Sequence, residues 1–205
     1  MLRYRAAAFG LAMLVIGTSL SALQRRGDPP PKSGVNLTAQ RQAEFQKRVE
    51  DYASLHKKLE DSLPKLSKDA TPQEVDADQR ALEKLIVQAR PDAKPGDIFT
   101  PEMTTFVRAL LADVFKGTQG ARAREAIFDE PHPVTPVINK RYPDDVPLST
   151  MPPRVLQTLP KLPDELEYRF VSDHLILMDV HAHIIVDYIL NAMPKPATKP
   201  SATAK

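Results

Sequence analysis

The spacing of apolar residues between positions 45 and 66 constrains this chain most. Six apolar residues and one histidine recur there at alternating intervals of four and three, with charged residues between them: Phe45, Val49, Tyr52, His56, Leu59, Leu63 and Leu66. This period defines one face of an amphipathic helix, and at about three heptads it reaches only the lower limit for a coiled coil. We therefore expect a long helix that packs on its neighbours and ends near Pro64.

Two further helix starts share one signal. The sequences TPQE at 71–74 and TPE at 100–102 each place a threonine that can cap a helix before a proline at the first helical position. A stripe of apolar residues follows each start. The second stripe, over residues 103–115, is the more apolar, so we expect that helix to lie at the centre of the core.

Beyond the third helix the chain loses regular spacing. Gly117 and Gly120 are expected to end that helix, and residues 121–128 to form a short fourth one. Nine prolines then lie between positions 131 and 163. This density predicts an extended arm that either wraps the helices or lies in solvent, with one short helical turn within residues 152–159.

From residue 165 the apolar period changes to two, which is typical of strands. Residues 166–171, 174–179 and 184–189 are the expected strands, and Ser172-Asp173 is the first turn. The pattern predicts an antiparallel meander. Three short strands are marginal alone, so the meander needs a partner surface, either the helical stripe or another protein.

Part of this region resembles a known group of proteins. The resemblance is carried by PPRVL at 152–156, LP at 162–163, YR at 168–169, LIL at 175–177, Asp179 and IIVD at 184–187. These residues are similar to the terminal hairpin of small bacterial periplasmic proteins, which include the nickel/cobalt-homeostasis family. The resemblance implies a periplasmic protein and carries no metal ligand over to this chain.

The first 22 residues have the order of a secretory signal peptide. A cationic start, Met1–Arg5, precedes the uncharged apolar run Ala6–Leu20, and small residues follow for cleavage near Ser21 or Ala22. The alternative is an uncleaved membrane anchor, since residues 6–23 number 18 and can just span a bilayer.

Together these patterns predict an α+β fold, mainly α, with a bundle of three or four helices. The expected segments are a signal peptide 1–22, a flexible linker 23–36, the helical bundle 37–129, a proline-rich arm 130–164, the β meander 165–190 and a disordered Lys/Pro/Ala tail 191–205.

Composition excludes several functions. The chain has no cysteine, so it has no disulfide, thiolate metal site or thiol nucleophile. Its 28 basic residues nearly balance its 26 acidic ones, and the excess comes from Arg3 and Arg5, so nucleic-acid binding is not expected. Neither a Gly-x-Ser-x-Gly motif nor a glycine-rich phosphate loop occurs.

The sharpest chemical motif is DVHAH at 179–183. Asp-x-His-x-His opens the metal site of amidohydrolase barrels, but that fold needs roughly 200 further residues and only 22 follow here. Histidines at i and i+2 of a strand share a face and suit nickel, copper or zinc. The candidate ligands are His181, His183, His174 and Asp179, and the alternative is an ordinary solvated turn.

His56 has no partner that the sequence can assign, so we interpret it as a half-buried residue of the helical face. We therefore expect an exported periplasmic protein without catalytic residues or a cofactor, which binds an envelope protein or a second copy of itself, or which serves as a structural accessory of the cell envelope. Contact with a membrane is expected only through an uncleaved leader. The alternative is a periplasmic protein that binds nickel, copper or zinc through its C-terminal histidines.

Overall fold

The computed structural model describes residues 34–128 and 134–194. Their elements are five helices, α1 Gly34–Glu60, α2 Pro72–Ala89, α3 Pro101–Val114, α4 Gly117–Phe128 and α5 Pro153–Thr158, followed by the strands β1 Leu166–Val171, β2 His174–Asp179 and β3 Ile184–Ile189. The fold is mixed α+β and mainly helical, which confirms the predicted class. The predicted leader, and parts of the predicted linker and tail, lie outside the described residues. Within those ranges, no helix is long and apolar enough to cross a membrane.

The three strands form one antiparallel sheet in the order β1-β2-β3. Tyr168 of β1 lies opposite Leu177 of β2, which in turn lies opposite Asp187 of β3. The register shifts between Leu177 and Met178, and a turn over residues 180–183 connects β2 to β3. This turn brings the carboxyl end of β2 to the surface that α1 covers.

One face of the sheet packs against the helices. The buried residues of this core include Phe45, Val49 and Tyr52 of α1, Leu82 and Ile86 of α2, Met103, Val107 and Leu111 of α3, and Leu175 and Leu177 of β2. The periodic face of α1 therefore packs within the chain, as expected for an amphipathic helix rather than for a coiled coil. Burial of this apolar surface is the main term that stabilises the fold.

The other face of the sheet is covered by residues from the range 134–148. Tyr142 is buried there against β2 and β3, with Val134, Val146 and Leu148 packed around it. Backbone bonds join this segment to β3, since Asn139 N–H donates to the Ile185 carbonyl at 2.9 Å. The apolar faces that favoured a protein partner are thus covered from within the chain, and binding of a partner stays a prediction.

The helix boundaries differ from the predicted ones around the two glycines. The third helix ends at Val114 with Phe115 as its C-cap, and Gly117, with a left-handed φ of +70°, begins α4. Gly120 lies inside α4, whereas it was expected to help end α3 and to precede the fourth helix. A Cβ at Gly120 would lie 2.4 Å from the Phe115 carbonyl carbon, so the absent side chain lets the helix start pack against the preceding turn.

A buried carboxylate fixes the loop between α2 and α3. Both oxygens of Asp187 accept backbone N–H bonds: Oδ1 from Gly96 and Tyr188, and Oδ2 from Ile98 and Phe99, at 2.7–3.0 Å. These four donors satisfy a carboxylate that is removed from water. Asp187 therefore holds the loop before α3 against β3.

Candidate metal centre

The buried pair His56 and Asp179 lies where α1 crosses the end of β2. His56 is on the inward face of α1, and Asp179 is the last residue of β2. Both side chains have no exposed surface, and His56 Nδ1 lies 2.6 Å from Asp179 Oδ2. An ionised carboxylate has no proton to donate. In a pair with such a carboxylate, the His56 ring is therefore the donor, through Nδ1.

Asp179 is held by three further donors. The Tyr52 hydroxyl donates to Oδ2 at 2.7 Å, and the N–H groups of His181 and Ala182 donate to Oδ1 at 3.0 and 2.7 Å. Acceptance of the two turn N–H groups is the usual role of an aspartate at the start of a turn. The carboxylate is therefore fixed, and it fixes the orientation of the His56 ring.

The other nitrogen of His56 faces Glu60. Nε2 is buried and makes no hydrogen bond with any described residue. Glu60 Oε2 lies 3.6 Å from it, one helical turn along α1, which is too far for a hydrogen bond but close enough for an ion pair when the ring is protonated. When the ring is neutral and keeps its proton on Nδ1, toward Asp179, Nε2 presents a lone pair.

His181 completes a cluster with His56 and Glu60. Its Nδ1 lies 3.0 Å from Glu60 Oε1, and its ring centroid lies 5.2 Å from that of His56. One ligand atom from each of the three residues lies within 4.8 Å of the other two. His56 is fully buried, whereas the side chains of Glu60 and His181 are 42% and 48% exposed, so the cluster has a buried floor and a solvent side.

The electrostatics of the pair follow from burial and from the carboxylates. Burial acts to lower the pKa of His56, but the hydrogen bond and charge of Asp179, aided by Glu60 and Glu165, outweigh burial and raise the pKa. Burial raises the pKa of Tyr52 well above its ordinary value, and Asp179 adds to this effect. Tyr52 therefore acts as a neutral hydrogen-bond donor to Asp179.

The residue types in this cluster are ones that could hold a transition metal. Ligand atoms about 2.1 Å from a tetrahedral zinc ion lie about 3.4 Å apart, so the three atoms, which lie within 4.8 Å of one another, would have to close by up to about 1.4 Å to share an ion. Two imidazole nitrogens and one carboxylate oxygen suit zinc, copper, nickel or iron(II). With a metal bound, Asp179 would be the outer carboxylate that orients the His56 ligand.

Only two of the four residues predicted from the sequence lie together at this site. Asp179 and His181 do, with Asp179 as a support and not as a ligand. His174 lies at the opposite end of β2, where its Nδ1 is 2.8 Å from Asp173 Oδ1. His183 lies beside Asp144, 3.7 Å from Nε2 to Oδ1.

The prediction that His181 and His183 lie on the same face of a strand is wrong. Residues 180–183 form a turn and not a strand, and His183 has a left-handed φ of +57°. Period-two alternation holds only for extended backbone, so the two side chains do not point the same way. Their contacts show the separation, since His181 reaches Glu60 of α1 whereas His183 packs edge-on against Tyr142.

Sequence reasoning missed His56 and Glu60 as members of the site. The interpretation of His56 as half-buried and without a partner is wrong, because the ring is fully buried and bonded to Asp179, 123 residues away. A local signal was present, since a histidine and a glutamate at i and i+4 lie on one face of a helix. That spacing alone does not separate a site from a surface pair.

Comparison with known proteins gives no further guidance, since no protein-family model, curated protein or solved structure matches this chain.

Proposed function

We propose that this protein binds a divalent transition metal through His56, Glu60 and His181. The observation that carries the proposal is the buried Nε2 of His56, which makes no hydrogen bond and lies in one cluster with the carboxylate of Glu60 and the imidazole of His181. A buried nitrogen without a hydrogen bond costs free energy, roughly 1–3 kcal/mol. A metal ion removes that cost and joins α1 to the turn after β2.

The supporting residues add to the argument. Metal-bound histidines usually donate their second N–H to a carboxylate, and Asp179 already accepts that bond from His56. Tyr52 and two backbone N–H groups hold Asp179 in turn. The proposed ligand His56 is therefore buried and held in place. The other two, Glu60 and His181, are partly exposed and are the ones that would close on the ion.

The sequence also supports a cellular location for the proposed function. The cationic and apolar start of the chain supports export from the cytoplasm, so we propose that the metal is bound outside it, in the periplasm. A bundle formed by α1–α4 on the sheet is the scaffold we propose for the site. Fractionation with N-terminal sequencing of the mature protein tests export, and a chain that keeps residues 1–22 in the cytoplasm would contradict it.

Isothermal titration of the purified protein with zinc, nickel and copper tests the proposed function. We expect saturable binding near one equivalent for at least one ion. His181→Ala and Glu60→Gln should each weaken it by at least about 100-fold, the upper end of what loss of a mere supporting residue costs. Both side chains are partly exposed, so these variants are expected to keep the fold.

His174→Ala is the matched control. It removes a histidine from the opposite end of β2 and leaves the proposed ligands in place, so its affinity should equal that of the unmodified chain. Equal binding in His181→Ala and the unmodified chain, or loss of binding in His174→Ala, would overturn the assignment. Far-ultraviolet circular dichroism of each variant separates loss of a ligand from loss of the fold.

A further inference from the structure

We infer that a metal bound at the cluster stabilises the docking of residues 139–144 on the sheet, through the turn at residues 180–183. This inference rests on the proposed function and deepens it, because it assigns a conformational consequence to metal binding. The contacts that the turn makes on its two sides carry the inference.

On one side, the turn faces the metal site. His181, a proposed ligand, is the second residue of the turn, and Nδ1 of its ring lies 3.0 Å from Glu60 Oε1 of α1. The N–H groups of His181 and Ala182 both donate to Asp179 Oδ1, so the two residues are tied to the same carboxylate. Ala182 is fully buried, and close packing leaves it little room to shift. A metal shared by α1 and His181 would therefore fix the position of the whole turn.

On its other side, the turn holds residues 139–144. The Tyr142 N–H donates to the His183 carbonyl at 2.9 Å, and the two rings meet edge-on with centroids 6.0 Å apart. Nη1 of Arg141 lies 3.5 Å from the carbonyl oxygen of Ala182. The two residues of the turn that follow the proposed ligand are therefore the ones on which this segment rests.

Arg141 extends the link from the turn to α2. Its Nη2 lies 3.0 Å from Asp144 Oδ1 and 3.4 Å from Asp76 Oδ1, and its side chain is only 13% exposed, so solvent screens these contacts less than it screens a surface ion pair. Arg80 forms ion pairs with the same two aspartates, at 2.9 and 3.3 Å. Within the described part of the chain, however, Arg80 makes no hydrogen bond or ion pair with the turn. The two arginines therefore differ in the link that matters here.

Hydrogen exchange followed by mass spectrometry tests this inference on the full chain. The chain is compared without metal and with one equivalent of the ion, zinc, nickel or copper, that calorimetry shows to bind. Exchange is read at times when the peptides of β2 stay protected, so that global unfolding does not contribute. We expect the metal to slow exchange in the peptide that contains Tyr142 by at least about fivefold, the lower end of typical coupling between two sites.

The two possible failures are distinguishable. Metal binding without slower exchange at Tyr142 would overturn the inference and leave the proposed function standing. A chain that binds none of the three ions would overturn both.

A pair of variants tests the link through Arg141. Coupling between two sites is reciprocal, so loosening residues 139–144 should also weaken metal binding. We expect Arg141→Met to weaken it by about fivefold, although Arg141 lies outside the cluster, and Arg80→Met to leave it unchanged. Equal affinity in Arg141→Met and the unmodified chain, or equal losses in the two variants, would refute the link. Circular dichroism checks both folds, and if Arg141→Met does not fold, hydrogen exchange of the unmodified chain decides.

Discussion

The hydroxyl of Tyr52 provides the sharpest stability test of the buried network. In Tyr52→Phe the ring stays in place, under the Arg90 guanidinium 5.1 Å from its centroid, and only the 2.7 Å bond to Asp179 is lost. A buried hydrogen bond to a charged group contributes about 1.5–3 kcal/mol. We expect Tyr52→Phe to lower the free energy of unfolding by this amount.

Tyr168→Phe is the matched comparison. Tyr168 is equally buried, but its hydroxyl donates to the neutral carbonyl of Pro160 at 3.1 Å. Such a bond contributes about 0.5–1.5 kcal/mol. The measurement is urea unfolding followed by circular dichroism. With a slope of about 2 kcal/mol/M, the midpoint should fall by about 1 M in Tyr52→Phe and by about 0.5 M in Tyr168→Phe. Equal shifts in the two variants would refute the claim that the Tyr52 bond to Asp179 is the stronger of the two.

Three further predictions concern the scaffold and are measured by the same unfolding assay. Asp187→Asn places an amide N–H₂ against two backbone donors and should cost about 2–6 kcal/mol, and a cost below 1 kcal/mol would contradict this role. Gly120→Ala should destabilise by about 1–3 kcal/mol although alanine favours helices, because its Cβ meets the Phe115 backbone, and a stabilised variant would refute this. Hydrogen bonds from the Thr71 backbone N–H and hydroxyl lower the pKa of Glu74. The ionised carboxylate therefore stabilises α2 fully when the pH is above the ordinary pKa of a glutamate, and this stabilisation is lost as the pH falls through the lowered pKa. The stability gap between the unmodified chain and Glu74→Gln should therefore close on acidification, and a constant gap from pH 7 to pH 3 would contradict this.

Much of the fold is local and therefore readable in the sequence. The capping box at Thr71 and Glu74 starts α2, and the threonine and proline at 100–101 start α3. The three strands occupy residues for which alternation indicated extended backbone. Sequence reasoning was wrong at Gly120. Local propensity treats a glycine as a helix breaker, whereas its role here depends on how close the Phe115 backbone lies.

The candidate site could be predicted only in part, because it depends on contacts between distant residues. Asp179 and His181 were found as a motif, but their function depends on α1, which lies more than 100 residues earlier in the chain. Residue spacing cannot reveal that α1 presents His56 to the end of β2. The left-handed backbone at His183 is likewise set by how the chain reverses between β2 and β3.

The most direct test of the account is anomalous diffraction at the zinc edge from crystals of the protein grown with one equivalent of zinc. The account predicts a single strong peak about 2.1 Å from Nε2 of His56, with Glu60 and His181 closed onto it. A peak at His174 or His183 instead, or a zinc-free cluster with His56 Nε2 bonded to Glu60, would contradict it.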